Sequence, residues 1–231
     1  MSVRLHFIVE GQTEETFVSR VLIPHLAMYS VYGKVRCVMT GRKRGITHRG
    51  GLRTYVMARK DISIWMKEDQ NPDALFTTMF DLYGLPSDFP GYEDAGRIGD
   101  PWKRVVALEE AMCRDIQDRR LVPHIQLHEY ETLLLADPKK LDWAYLEHDK
   151  AIRSLLNMAS GFASPELIDD GDDTAPSKRI SREIPAYEGM KVSVGPLVAE
   201  KIGLATLRAK CTHFGEWLGK LERLASQGSR G

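Results

Sequence analysis

The chain has no net charge: 32 lysines and arginines are cancelled by 32 aspartates and glutamates. A uniformly basic sleeve for nucleic acid and an acidic solvating tail are both excluded. Long apolar runs are missing too. None approaches the ~20 residues that span a bilayer, so no membrane association is expected. Met1-Ser2-Val3-Arg4 runs straight into strand-like residues and lacks a secretory layout. Cysteine is scarce. Cys37, Cys113 and Cys211 are odd in number and far apart. That excludes a disulfide framework and a CxxC zinc knuckle, and a reduced cytoplasm is the expected compartment. There is no GxxxxGK followed by Ser or Thr, no GxGxxG after a strand and no GxSxG elbow. Phosphate-loop, dinucleotide and serine-hydrolase chemistry therefore find no support. Repeats and low-complexity segments are absent as well.

What is present suits one large domain, or one domain with a small appendage: 231 residues, 43% hydrophobic. The first half alternates strand-like and helix-like patterns. Strands are expected at 3–9, 34–40, 74–80 and 121–127, and helices at 14–28, 52–68 and 102–116. Residues 84–101 are rich in glycine and proline and read as a loop. Pro123 marks the last strand as an edge or a bulge. Alternation of this kind argues for an α/β fold with a mostly parallel sheet between helices. Beyond residue 130 the pattern is helical, around 130–136, 139–158, 195–209 and 213–226. Ser164 to Lys178, with acids at Glu166, Asp169, Asp170, Asp172 and Asp173, reads as a mobile surface loop. The expected division is an α/β domain over 1–137 and a helical region over 138–231 packed on it.

Three expected strands run into an acid: the first at Glu10, the third at Asp81, the fourth at Glu129. In an open parallel sheet, ligands bind beyond the carboxyl ends of the strands. Converged carboxylates repel one another unless a cation sits between them. Magnesium, which takes oxygen ligands, is the economical answer. Glu10-Gly11-Gln12-Thr13-Glu14 places a second carboxylate in the first turn of the following helix, with Gly11 as the tight turn and Thr13 as N-cap. If the chain stays extended after the fourth strand, Glu129 and Glu131 face the same side.

These residues also carry a resemblance. The run Ile8-Val9-Glu10-Gly11-Gln12-Thr13-Glu14-Glu15 resembles the first motif of Toprim domains, in the version found in OLD-type (overcoming lysogenization defect) nucleases. With Met79 to Pro86, His128 to Asp137, Ala175 to Arg179 and Cys211 to Trp217, it is similar to a bacterial family called domain of unknown function 4276. The resemblance implies a Toprim-like four-stranded α/β fold and Mg2+- or Mn2+-dependent cleavage of phosphodiester bonds in DNA or RNA. It assigns metal-holding roles to Glu10 and Asp81, and matches Glu14 to the second glutamate of the OLD-type motif. It further implies a role in antiphage defence beside a separate ABC-type ATPase. The Toprim Asp-x-Asp motif reads Asp81-Leu82-Tyr83 here, so its second acid is missing. Either Glu129 or Glu131 replaces it, or a second ion is weakly held, or the site is inactive and the chain is a binding module.

For cleavage the expected arrangement is Glu10, Asp81 and Glu129 around one ion, with Glu14 and Glu131 near a second about 4 Å away. Lys178 and Lys191 are candidate cations for the phosphate in the transition state. Residues 41–60 carry Arg42, Lys43, Arg44, Arg49, Arg53, Arg59 and Lys60 with no acid among them. This glycine-bracketed stretch, expected to be flexible and to lie in the same sheet as the acids, is the expected nucleic-acid contact, with Arg179. Tyr83, Phe89 and Tyr92 are read as base-stacking or packing residues. His124 and His128, about 13 Å apart if on one strand, do not read as a zinc pair. His128 is a candidate proton shuttle, Cys211 a buried thiol, and Trp65, Trp102, Trp143 and Trp217 core residues.

Overall fold

The computed structural model describes residues 2–43, 46–49, 52–168 and 174–227. Strand β1 (Val3–Val9) is followed by helix α1 (Gln12–Phe17), a π-helical stretch over Val18–Leu22, and α2 (Ile23–Ala27). The helix widens just before Pro24, which has no N–H to return to the Arg20 carbonyl. Strand β2 (Val31–Cys37) lies beside β1 in parallel, Val3 opposite Val31 and Val9 opposite Cys37. Then come β3 (Met39–Lys43) and β4 (Ile46–Arg49), helix α3 (Tyr55–Glu68) and strand β5 (Ala74–Asp81). Strand β5 pairs in parallel with the other side of β1. A short α4 (Tyr92–Gly96) and α5 (Pro101–Ile116) fill out the stretch before the sheet's last edge.

That edge is broken in two, β6 (Leu121–Val122) and β7 (Ile125–Gln126), both parallel to β5. Pro123 cannot donate to a ladder, and threonine hydroxyls stand in. Thr77 Oγ1 donates to the Val122 carbonyl at 2.6 Å, and Thr78 Oγ1 donates to the His124 carbonyl and accepts from its N–H, both at 2.9 Å. The sheet order is β2-β1-β5-β6, with β7 also on β5. The expected α/β class with a mostly parallel sheet and a helical C-terminal part is what the chain adopts.

The sheet is covered on both faces. Ile8, Phe76 and Phe80 pack with Ile62 of α3 and Val105 and Met112 of α5. Leu5, Phe7 and Val9 pack with Phe17 and Leu22 and with the C-terminal helices. The latter begin with 3-10 helices at Tyr130–Ala136 and Pro138–Trp143 and continue as α6 (Asp149–Ser160), α7 (Pro176–Glu183), α8 (Lys191–Ile202), α9 (Leu204–Lys210), α10 (Thr212–Glu222) and α11 (Leu224–Gln227). Strand β1 reads as a nearly continuous apolar run because both of its faces are buried.

Several expectations are corrected. The basic stretch does not lie in the central sheet: β3 and β4 form a separate two-stranded antiparallel sheet. Glu166 does not lie on a surface loop. It is fully buried, because its carboxylate takes the N–H groups of His213 and Phe214 and the Trp102 indole N–H, each at 3.0 Å. Asp169, Asp170, Asp172 and Asp173 lie outside the described residues. Trp143 is exposed, with the Lys201 ammonium 3.9 Å over its ring, so it is not core.

Candidate metal centre

The chain leaves β1 toward β2 on one side and returns as β5 on the other. In open parallel sheets ligands bind where the strand order reverses, which here is beyond the carboxyl ends of β1 and β5. Val9 stands opposite Met79, so Glu10 and Asp81 emerge at one rim. The Asp81 N–H donates to Glu10 Oε2 at 3.2 Å and the Leu52 N–H to Glu10 Oε1 at 3.3 Å. The turn after β5 presses on the same carboxylate. A Cβ at Gly84 would sit 2.6 and 2.7 Å from the two Glu10 oxygens, so any side chain there must displace that carboxylate.

Glu14 folds back from the first turn of α1, and the Gly11 N–H donates to its Oε2 at 2.9 Å. The N-cap is Gly11, not Thr13, because the helix starts two residues earlier than its pattern suggests. Past Gln126 the chain does not stay extended: His128 adopts φ 61°, and the 3-10 helix follows. Glu129 and Glu131 therefore part company. The Glu129 carboxylate takes the Ser177 N–H and, at 3.1 Å, the Ser177 hydroxyl, at the start of α7. Glu131 accepts from the Tyr187 hydroxyl at 3.0 Å. Ser177 lies in the Ala175–Arg179 segment that carries the resemblance, without an assigned role, and no local pattern marks Tyr187.

Charge accumulates at this rim. Asp81 Oδ1 is buried and has no hydrogen-bond partner among the described residues. Burial first, then Glu14, Glu10, Glu131 and Glu129, hold the Asp81 acid well above the usual carboxylate range. Burial, with Glu10 and Glu131, pushes Glu14 up to about 7. Burial and Glu129 push Glu131 up to about 7, with Lys191 opposing. Burial raises Glu10 despite its two backbone donors. The Tyr130 hydroxyl, buried and without a partner among the described residues, faces the same field: burial, Glu14, Glu131 and Asp81 hold it un-ionised. These carboxylates come from three separated stretches of chain, and each offers only oxygen.

The cations are placed unevenly. Lys191 Nζ pairs with Glu188 at 3.1 Å and also acts on Glu131. Lys178 is exposed, and its charge acts on Glu188. Arg179 Nε donates to the Thr174 carbonyl at 2.6 Å. Arg42, Lys43 and Arg49 lie on β3 and β4, and Arg44 lies outside the described residues. Arg53 is exposed, while Arg59 pairs with Asp115 at 2.6 Å and is not free for phosphate. Phe89 is buried against Tyr55 with centroids 4.9 Å apart, so it is packing and not a stacking platform; Tyr83 and Tyr92 are exposed. His128 is buried, its Nε2 3.0 Å from the Glu166 carbonyl.

A second polar cluster brings together residues that no motif linked. Glu109, His124 and His213 each place a ligand atom within 4.8 Å of the others, all three buried, and the set could hold a metal ion. The partner of His124 is His213, 89 positions further along the chain, and not the neighbouring His128.

The family model described as Domain of unknown function (DUF4276) matches residues 9–222. The chain belongs to this family. No curated protein matches it. Among solved structures it is similar to the C-terminal region of the Burkholderia pseudomallei OLD protein, at 13% identity over 96% of this chain and 98% of that one, with a TM-score of 0.44. The C-terminal region of the Xanthomonas campestris pv. campestris OLD protein is similar at 11% identity over 99% and 98%, with a TM-score of 0.45. In this DUF4276 member no helix among the described residues is long and apolar enough to cross a membrane.

Proposed function

We propose that this DUF4276 chain is a Toprim-like nuclease that uses Mg2+ or Mn2+ to cleave phosphodiester bonds of DNA or RNA. One observation carries the reading. Asp81 has a buried oxygen with no hydrogen-bond partner among the described residues, amid the charges of Glu10, Glu14, Glu129 and Glu131. Uncompensated anions at the carboxyl rim of a parallel sheet are what a hard cation stabilises. Glu10, Glu14, Asp81 and Glu131 would hold the ion, and Glu129, committed to Ser177, would act from beside it. When bound, the ion supplies charge stabilisation at the phosphate and activation of water. The protein orients the ligands: the Asp81 and Leu52 N–H groups fix Glu10, Gly11 fixes Glu14, and Tyr187 fixes Glu131. Lys191, partly exposed beside Glu131, is the cation best placed to meet the phosphate. Hairpin residues Arg42, Lys43 and Arg49 with Arg53 would carry the strand. Antiphage defence with a separate ATPase rests on the motif resemblance alone.

The test is plasmid nicking and tRNA cleavage by purified protein in manganese or EDTA. We expect metal-dependent cleavage, reduced by at least 100-fold in Glu10→Gln and in Asp81→Asn while the circular dichroism spectrum is unchanged. Cleavage by Glu10→Gln at the parent rate overturns the assignment. A second reading, a binding module that does not cut, is favoured by Tyr83 at the position of the second Toprim acid. It predicts metal binding at Asp81 with no cleavage of either substrate, even with an ATPase partner added.

A further inference from the structure

We propose that Glu109, His124 and His213 form a second metal site, for a zinc-class divalent ion, which staples α10 to the broken edge of the sheet. The donors decide the class. Two imidazole nitrogens and one carboxylate suit zinc and its transition-metal neighbours, whereas magnesium takes oxygen. His124 is the second, independent observation. Its side chain is 1% exposed, and neither ring nitrogen makes a hydrogen bond of good geometry among the described residues. A buried imidazole in that condition costs stability unless something takes its lone pair. Burial, and then His213, drive His124 well below its ordinary pKa, with the Gln126 side chain opposing. It is therefore a neutral ring with a lone pair to give.

The surroundings hold the donors in place. His124 lies flat on Trp217, centroids 4.2 Å apart and planes 8° apart, and next to His213 at 4.9 Å. Thr78 grips its backbone on both sides. The Ile125 N–H and His213 Nε2 each lie 2.8 Å from Glu109 Oε1, and the His213 N–H is fixed by Glu166. Supports of this kind keep metal ligands oriented. The donor atoms lie within 4.8 Å of one another, whereas a tetrahedral zinc shell spaces them about 3.3 Å apart. Closing the set takes a torsion of Glu109 and loss of the proton that His213 shares with it. That proton passes to solvent as the ion enters. Two grooves border the cluster, one lined by Trp102, Lys103, Thr212 and His213 and the other by Glu109, Cys113 and Lys220.

The alternative is a plain buried Glu109–His213 ion pair. Chelator-stripped full-length protein, titrated with zinc chloride in excess magnesium, separates the two. We expect one zinc per chain by calorimetry and atomic absorption, and a raised thermal midpoint that magnesium alone does not produce. Glu109→Gln keeps an acceptor for Ile125 and His213, and His124→Phe keeps the stack on Trp217. Each should weaken zinc binding on the order of tenfold or more. Asp81→Asn should retain full zinc stoichiometry, which locates the ion away from the acidic rim. Should His124→Phe fail to fold, Glu109→Gln decides. No zinc uptake by the parent, or parent-like zinc binding by Glu109→Gln, establishes the ion pair and overturns the proposal.

Discussion

Gly84 and Glu10 touch so closely that one methyl group separates an ordered carboxylate from a displaced one. In Gly84→Ala the new Cβ would meet both Glu10 oxygens at under 3 Å. We expect Glu10 to swing off the rim, at a cost of about 1–3 kcal/mol from overpacking. Manganese affinity by calorimetry should fall at least tenfold, and unchanged affinity would place Glu10 outside the ion's reach. The raised acids make a second prediction at this scale. Glu14 and Glu131 titrate near 7 in the folded chain against 4.5 for the ordinary group. An acid with a raised folded pKa contributes stability below its unfolded value and loses it as pH rises through the folded one. Metal-free protein should therefore lose thermal stability between about pH 4.5 and 7. Manganese, which needs the deprotonated acids, should restore more of it toward pH 7. The fall should flatten in a Glu14→Gln, Glu131→Gln double variant. A double variant that slopes like the parent would mean other groups set the dependence.

Elements carry the next layer. The last sheet edge survives a proline because Thr77 and Thr78 lend hydroxyls where a backbone donor is missing. Thr78→Val keeps the shape and removes both bonds to His124. The buried His124 N–H and carbonyl are then left without that partner, and we expect about 2 kcal/mol of destabilisation in urea unfolding. A loss under 0.5 kcal/mol would show that water replaces the hydroxyl. Apolar runs announced β1 and β5, and helical spacing announced α5, almost to their ends, because the strands are buried on both faces and the helix on one. It could not announce that the chain after Gln126 coils into a 3-10 helix. That turn sends Glu129 to Ser177 and Glu131 to Tyr187, contacts 48 and 56 residues away in sequence.

At the scale of the whole molecule, Glu166 ties the C-terminal helices to the rest. Its carboxylate caps the N-terminus of α10 through two backbone donors and reaches Trp102 of α5 through a third. Its carbonyl lies 3.0 Å from His128 Nε2. Glu166→Ala would strand two buried backbone donors and the partly buried Trp102 indole, and we expect a loss of about 3–5 kcal/mol in urea unfolding. A loss below 1 kcal/mol would mean that α10 is held by its apolar face alone. Local composition around Glu166 is polar and acidic, and read by itself it describes a solvated loop. The burial comes from helices more than 40 residues further on, which the composition does not record.

The sequence alone determined the α/β alternation, the apolar run of β1 and the acids at the ends of β1 and β5, since periodicity and strand ends are local properties. Tertiary structure alone decided which distant groups met: Glu131 with Tyr187, Glu166 with α10, and Glu109 with His124 and His213. The physical reason is that a hydrophobic pattern states which face of an element must be covered, while the covering element, and every polar partner that comes with it, is chosen by packing across the chain.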